Sequence, residues 1–404
     1  MLARHDGQVM LVSGAIPGEQ VVARVERTGK GVTFAEVVDV VTPSPDRRAD
    51  TPGRTCGGQV YAHIAYPRQR ELKAEIIQDA FRRIGRVALA APPAVIESPE
   101  FGYRMRARLH AQDGRLGFYE DGTHRLCAPA TTGQLLPATC EWLGAVEETV
   151  RSRGLQGLVS LEVVENIAAS QRACHLTLQT GVEPALFAVL ADGLTGLSAQ
   201  CADRRSAVVL GGAPVVNDAV RTRASEGAPV VAVSRDARAF FQGNRFLLER
   251  LVWVVTADVA TGPVVDLYAG VGLFGLALAA CGHDAVTVVE GSPVSGADLE
   301  ANASPFGSRV RVVRESVERF LASAGHERPA TVIVDPPRTG LSRSAVAGLI
   351  RMRSSAVVYV SCDVATLARD SRLLLDSGYE LGGVTGVDLF PGTAHVESVA
   401  LFAR

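Results

Sequence analysis

Lysine is nearly missing from this 404-residue sequence: Lys30 and Lys73 are the only two, and arginine carries almost all of the positive charge. An arginine fork favours bidentate phosphate contact, but genomic base bias is the simpler source of the skew. Net charge is close to absent as well. With 41 basic against 43 acidic residues the formal charge is −2, so any polyanion must be held by a local basic face rather than by the chain as a whole. No CxxC pair occurs, and the seven cysteines (Cys56, Cys127, Cys140, Cys174, Cys201, Cys281 and Cys362) are odd in number and scattered, which suits reduced thiols better than a disulfide framework. No apolar run reaches membrane-spanning length, and no basic segment at the start leads into an apolar one. The chain therefore reads as cytoplasmic, with no membrane partner.

What is present is an ordinary globular composition, 47% hydrophobic and 21% charged, in a length that suits two or three domains. Residues 7 to 42 alternate β-type runs (QVMLV, QVVARVERT, TFAEVVDVV) with turn signals, which predicts a small antiparallel barrel or sheet. PSPDRRADTPG reads as a linker, and a helical pattern follows from about Pro67 to Arg86. From Phe101 to about Val233 the chain favours β runs, with GFYEDGTH as a hairpin-like turn and CHLTLQT as a strand. After Arg235 five β runs (VVDLYAG, AVTVVEG, RVRVV, TVIVDPP, AVVYVSC) each precede a helix-length segment, the pattern of a doubly wound parallel sheet. Two more β runs, YELGGVTGVDLF and HVESVALFA, close the chain.

The first of those runs leads into VVDLYAGVGLFG, where Gly270, Gly272 and Gly275 have GxGxxG spacing and Glu290 ends the next strand. Such glycines let the backbone turn tightly against a ligand, and the acid accepts hydrogen bonds from ribose hydroxyls. NAD and S-adenosylmethionine both fit that pattern. Asp266, in a D-x-x-x-G-x-G arrangement, and the DPPR loop further on shift the reading to the methyl donor. In TVIVDPPRTG, Asp335 ends a strand and Pro336 and Pro337 stiffen the loop beyond it, on the edge where open α/β sheets bind ligands. Arg338 stands where amino-group methyltransferases place a stacking aromatic, which argues against amino methylation.

Cys362 follows an apolar strand on the same expected edge as Asp335. A cysteine in general is packing, but methyl transfer to C5 of uracil needs one: that carbon is a poor nucleophile until a thiolate adds to C6. A base must then take the C5 proton, and Glu397 in DLFPGTAHVESVALF is the candidate, with His395 two residues away.

At these residues the chain resembles the RNA 5-methyluridine methyltransferase family: FFQGN, DLYAGVGLFGL, VVEGSPVSGADLEANA, DPPRTG, SCDVATLARD and DLFPGTAHVE occur in family order, nearly end to end. The resemblance implies that Gln242, Tyr268, Gly270, Glu290 and Asp335 contact S-adenosylmethionine, that Cys362 is the nucleophile and that Glu397 is the base. It implies an RNA partner, ribosomal RNA favoured over transfer RNA, and a monomer is expected. The implied fold is an α/β, Rossmann-like class I methyltransferase domain (236–404) preceded by a β-rich RNA-binding domain with a short helix (49–235) and an OB-like TRAM barrel (1–48) that lacks its usual first strand, as though the natural start lay upstream. Many relatives hold an iron–sulfur cluster on four cysteines. Here Cys56 is kept, Gln59 replaces the next ligand, and Cys127 and Cys140 do not complete a set, so neither a cluster nor another metal is expected. In FGYRMRARLH, Arg104, Arg106 and Arg108 recur at period two, so a strand would present them together as an RNA-backbone surface beside Arg338, with Tyr103, Met105, Ala107 and Leu109 packed behind. A target base must leave its stack to reach the cysteine, so looped or single-stranded RNA is the expected substrate. A non-catalytic RNA-binding protein that keeps the fold and an NAD-dependent oxidoreductase are the competing readings. The first leaves Cys362 and Glu397 without a role, and the second leaves the Cys362 and DPPR loops unexplained.

Overall fold

In the computed structural model, residues 1–49, 56–204, 206–324 and 328–404 are described; the end of the expected linker lies outside them. The β runs after residue 235 assemble into an eight-stranded sheet with the order Val310–Val313, Val286–Val289, Val264–Leu267, Thr331–Val334, Ala356–Ser361, Glu397–Ala403, Glu380–Val387 and Val95–Ile96. The first five strands are parallel, whereas Glu397–Ala403 runs antiparallel to both of its neighbours. These strands are valine-rich because both faces are covered. Val264, Val288 and Ile333 face helices Leu248–Thr256, Leu273–Ala280 and Pro293–Ala303. Val265, Leu267 and Val332 face helices Val317–Ser323, Arg343–Met352 and Val364–Asp376, where Ile77 and Phe81 also pack. Strand order reverses between Val264–Leu267 and Thr331–Val334, and a ligand crevice forms outside the carboxyl ends at such a reversal.

A seven-stranded sheet built from residues 106–212 lies before this layer, and a four-stranded sheet occupies residues 2–42. Leu2–His5 forms a strand against Gln8–Ser13 that the sequence reading did not include, and the pairing of Gln8–Ser13 with Val32–Thr42 is parallel rather than antiparallel.

The span 49–235, expected as one β-rich domain, is shared between layers. Helix Tyr66–Ala80 packs on the eight-stranded sheet through Ile77, and Val95–Ile96 adds to that sheet's edge beside Glu380–Val387. A second helix, Pro137–Ser152, was not anticipated; it buries Thr139, Leu143, Val146 and Val150, a spacing of three to four residues that places them on one face. Cys56 and Cys127 are joined by a disulfide, with Cα atoms 5.9 Å apart, which corrects the expectation of seven reduced thiols. Their approach is a tertiary effect: Cys56 bridges to Glu120, and Cys127 lies on the strand paired with Phe118. Cys140 is free and Gln59 donates to the Thr132 carbonyl at 2.9 Å, so these side chains do not offer the four thiolates a cluster needs.

Candidate active site

The glycine loop is held by backbone constraint. Gly270 and Gly272 have φ of 57° and 99°, and a Cβ on Gly275 would sit 2.5 Å from Val288 and 3.0 Å from the Asp266 carboxylate. Tyr268 also adopts a left-handed φ of 60°. For a non-glycine residue that conformation costs on the order of 1–3 kcal/mol and is commonly retained where a ligand site needs it. Asp266, fully buried, accepts from the Gly275 N–H at 2.8 Å and so closes the loop onto the following helix. Its other oxygen has no partner, and burial pushes its carboxyl up to about 7. Glu290 reaches across from the neighbouring strand, accepting from Gly270 N–H at 2.8 Å and Ser292 N–H at 2.6 Å. Asp335, at the tip of the strand beside the reversal, accepts from the Gln242 side-chain amide at 3.2 Å. Gln242, Tyr268, Gly270, Glu290 and Asp335 thus converge on one edge. The left-handed glycines, the acid at the second strand tip and the orphaned Asp266 oxygen fit a nucleoside-bearing cofactor such as S-adenosylmethionine.

The next strand along that edge brings the thiol. Ala356–Ser361 ends at Ser361, whose hydroxyl accepts from Asp363 N–H at 3.1 Å; Asp363 in turn caps helix Val364–Asp376 by accepting from Thr366 N–H at 2.8 Å. Cys362 is fixed between a strand end and a helix start, half-buried, with a free thiol. Ser361 pairs with Ser398 on the antiparallel neighbour, so one step further Cys362 and Glu397 come level. Only an antiparallel strand places its first residue at the end where the parallel strands finish. Glu397 is 2% exposed and its Oε1 has no hydrogen-bond partner. Burial and the neighbouring Asp335 hold the Glu397 carboxyl well above the usual range, with Arg338 opposing. Burial likewise raises Asp335. The Cys362 thiol is pushed up to about 11 by burial, with Glu397 and Asp335 adding to the rise, while the Arg338 charge lowers it. His395 lies outside the strand that starts at Glu397, in the exposed part of the loop.

These raised carboxyls have a consequence for stability. The native state keeps protons that the unfolded chain releases once pH passes the ordinary carboxylate range, so ligand-free stability must fall as pH rises through the raised values. The melting temperature is expected to drop between about pH 5 and pH 8, and Asp335→Asn, neutral throughout, to flatten that drop. An unchanged slope in the variant would contradict the assignment.

The arginine strand forms with the expected alternation: Tyr103, Met105, Ala107 and Leu109 are buried. Two of the three guanidinium groups are nevertheless committed. Arg104 donates to Gln134 Oε1 at 2.7 Å and lies 5.1 Å from the Phe118 ring centroid. Arg106 pairs with Glu162 at 2.6 Å and donates to the Ala239 carbonyl at 2.6 Å. Arg108 and Arg338 remain exposed. Sequence alternation gives the face but not the partner on the adjacent strand, and that partner decides which cation is available. Phe240, 63% exposed beside the Gly270 loop, was not singled out, although it belongs to FFQGN.

A Rossmann-like sheet with a glycine loop at its reversal and two antiparallel closing strands defines a class I methyltransferase fold. The model of the family described as tRNA (Uracil-5-)-methyltransferase matches residues 230–404. A 23S rRNA (uracil(1939)-C(5))-methyltransferase of Pseudomonas entomophila is 31% identical over 99% of this chain and 90% of its own. An uncharacterized RNA methyltransferase of Gloeobacter violaceus is 31% identical over 99% and 92%. Among solved structures, the Pyrococcus abyssi tRNA (uracil-54, C5)-methyltransferase in complex with S-adenosyl-L-homocysteine superposes with a TM-score of 0.79 at 23% identity, covering 98% of this chain and 95% of that one. The chain belongs to the RNA (uracil-C5) methyltransferase family. Among the described residues no helix is long and apolar enough to cross a membrane.

Proposed function

We propose that this enzyme methylates C5 of a uridine in ribosomal RNA, using S-adenosylmethionine, with Cys362 as nucleophile and Glu397 as base. The observation that carries the reading is the pairing of Ser361 with Ser398, which sets the thiol and a buried, unpartnered carboxyl level with each other on the edge that holds the glycine loop. Cys362 adds through sulfur to C6, and the C5–C6 electrons move toward the O4 carbonyl as an enolate. The bound cofactor supplies an electrophilic methyl to C5. Glu397 then removes the C5 proton, the C5–C6 double bond re-forms, and the thiolate leaves. A base with a raised pKa suits that step near neutral pH.

Gln242 and Asp335 form one wall of the cofactor crevice, Glu290 stands where a ribose would lie, and Arg108 and Arg338 reach RNA phosphates. Ribosomal RNA is favoured because the rRNA enzyme of P. entomophila matches this chain at higher identity than the tRNA enzyme of P. abyssi. Nucleoside mass spectrometry after incubation with each unmodified RNA tests the choice: 5-methyluridine is expected in ribosomal RNA, and its appearance only in transfer RNA would overturn it.

Arg338 is the cation that opposes the high thiol pKa. Arg338→Gln is expected to slow trapping of 5-fluorouridine RNA by about tenfold at saturating RNA, since one opposing charge shifts a pKa by about one unit or more. The defect should shrink as pH is raised. A defect confined to RNA affinity, equal at all pH values, would assign Arg338 to phosphate contact alone.

A further inference from the structure

Lys73, one of two lysines in the chain, is fully buried. It lies on helix Tyr66–Ala80, on the buried side with Gln69 and Ile77, where an apolar residue would be expected. Its Nζ donates to Asp388 Oδ1 at 2.5 Å and to the Phe390 carbonyl at 3.1 Å. Asp388 directly follows Val387, and Val387 pairs with Glu397. Residues 388–396 are therefore the loop that closes the hairpin carrying Glu397, and Lys73 grips its first turn.

Other bonds reach the same loop. Gly392 N–H donates to Gln69 Oε1 at 2.9 Å, and Tyr61 N–H donates to the Gly392 carbonyl at 2.7 Å. The Tyr66 hydroxyl, whose ionisation burial and the Asp388 charge oppose, accepts from Ser98 N–H at 2.7 Å. The Ser98 hydroxyl accepts from Asn244 Nδ2 at 2.8 Å, and the same amide reaches the Leu389 carbonyl at 3.1 Å. Asn244 lies two residues after Gln242, which donates to Asp335. Hydrogen bonds from the loop that precedes Glu397 thus reach Asn244, and two residues of backbone join Asn244 to Gln242 at the wall of the cofactor crevice.

We propose that the buried Lys73–Asp388 pair is a positioning device for methyl transfer, fixing Glu397 relative to the segment Phe240–Asn244. The proposal rests on the reading of Glu397 as the base. Stability alone does not call for such a pair, because apolar residues of similar volume commonly replace a buried ion pair without loss. What the pair adds is direction: an ammonium that bonds both a carboxylate and the Phe390 carbonyl holds the loop in one register, which an apolar contact does not.

The test is the double variant Lys73→Met/Asp388→Leu, compared with the parent and with Glu397→Gln. The double variant is expected to melt within about 5 °C of the parent and to bind S-adenosylhomocysteine within about threefold. Its kcat for methyl transfer should fall by about 100-fold, the scale of a misplacement near 1 Å. Because proton removal is the impaired step, covalent RNA–protein adduct should accumulate on ordinary, fluorine-free RNA. Turnover within about twofold of the parent in a folded double variant would overturn the proposal. Should the double variant not fold, Tyr66→Phe removes a single link: lowered kcat with adduct accumulation supports the proposal, and unchanged kcat overturns it. Glu397→Gln separates the two claims. If that variant accumulates no adduct, the reading of the base has failed; if it accumulates adduct and the positioning variants do not, only the positioning proposal has failed.

Discussion

Cys362→Ala is expected to abolish methyl transfer to RNA while leaving cofactor affinity and melting temperature almost unchanged. The thiol is half-buried at a strand tip, and neither Gln242, Tyr268, Gly270, Glu290 nor Asp335 hydrogen-bonds to it, so truncation removes chemistry and little packing. Without addition at C6 the C5 carbon stays unreactive toward the methyl donor, and no other free thiol is placed to replace it. Cys140, on helix Pro137–Ser152, packs against the core of the seven-stranded sheet, Cys174 and Cys201 are buried in that core, and Cys281 donates to Thr222 at the C-terminal end of helix Leu273–Ala280. Calorimetry with S-adenosylhomocysteine and a methyl-incorporation assay check both halves. Residual turnover above a few per cent of the parent would remove Cys362 from the mechanism.

Glu397→Gln is expected to behave differently. Addition and methylation need the thiolate, not the carboxylate, so the first steps persist and the enzyme stalls before elimination. Turnover should fall by about 10²–10⁴-fold, the range for loss of a positioned general base, with adduct accumulating on natural RNA. The same substitution also relieves a buried group whose ionisation is opposed by burial and by Asp335, so the ligand-free variant should be no less stable than the parent near neutral pH. With Glu397 protonated at low pH, the parent itself should begin to stall, and adduct should rise as pH falls below the range where the carboxyl ionises. Loss of turnover without adduct would mean that Glu397 acts earlier than elimination.

Local motifs explain why the glycine-loop edge was legible in the sequence. A glycine loop after a strand, an acid at the next strand tip and a proline-stiffened Asp335 are each written within a few residues, and the fold brings them to one edge because parallel strands all end there. The thiol–carboxyl pair was less accessible. The chemistry of C5 methylation named Cys362 and Glu397 as candidates, but the antiparallel register that brings them together is a tertiary fact that the residue pattern does not show. Lys73 and Asp388, 315 residues apart, were invisible for the same reason, although a lysine in line with Gln69 and Ile77 in a nearly lysine-free chain was a signal. The arginine strand shows the converse: alternation fixed its faces, while Glu162 and Gln134, on other elements, decided which guanidinium group remains exposed. Helix Pro137–Ser152 was obscured by the β-type runs on either side of it, even though its own apolar spacing is helical. The disulfide partner of Cys56 could not be chosen from six other cysteines without knowing which strands meet.

The measurement that bears most directly on the central claim is peptide mapping of the adduct formed with S-adenosylmethionine and RNA containing 5-fluorouridine. Fluorine at C5 does not leave as a proton does, so the enzyme should remain bound through the thiol that attacked C6. The adduct is expected on the peptide that contains Cys362, with the methyl already transferred to the trapped base. An adduct on any other cysteine, or efficient 5-methyluridine formation on ordinary RNA with no adduct on the fluorinated one, would contradict it.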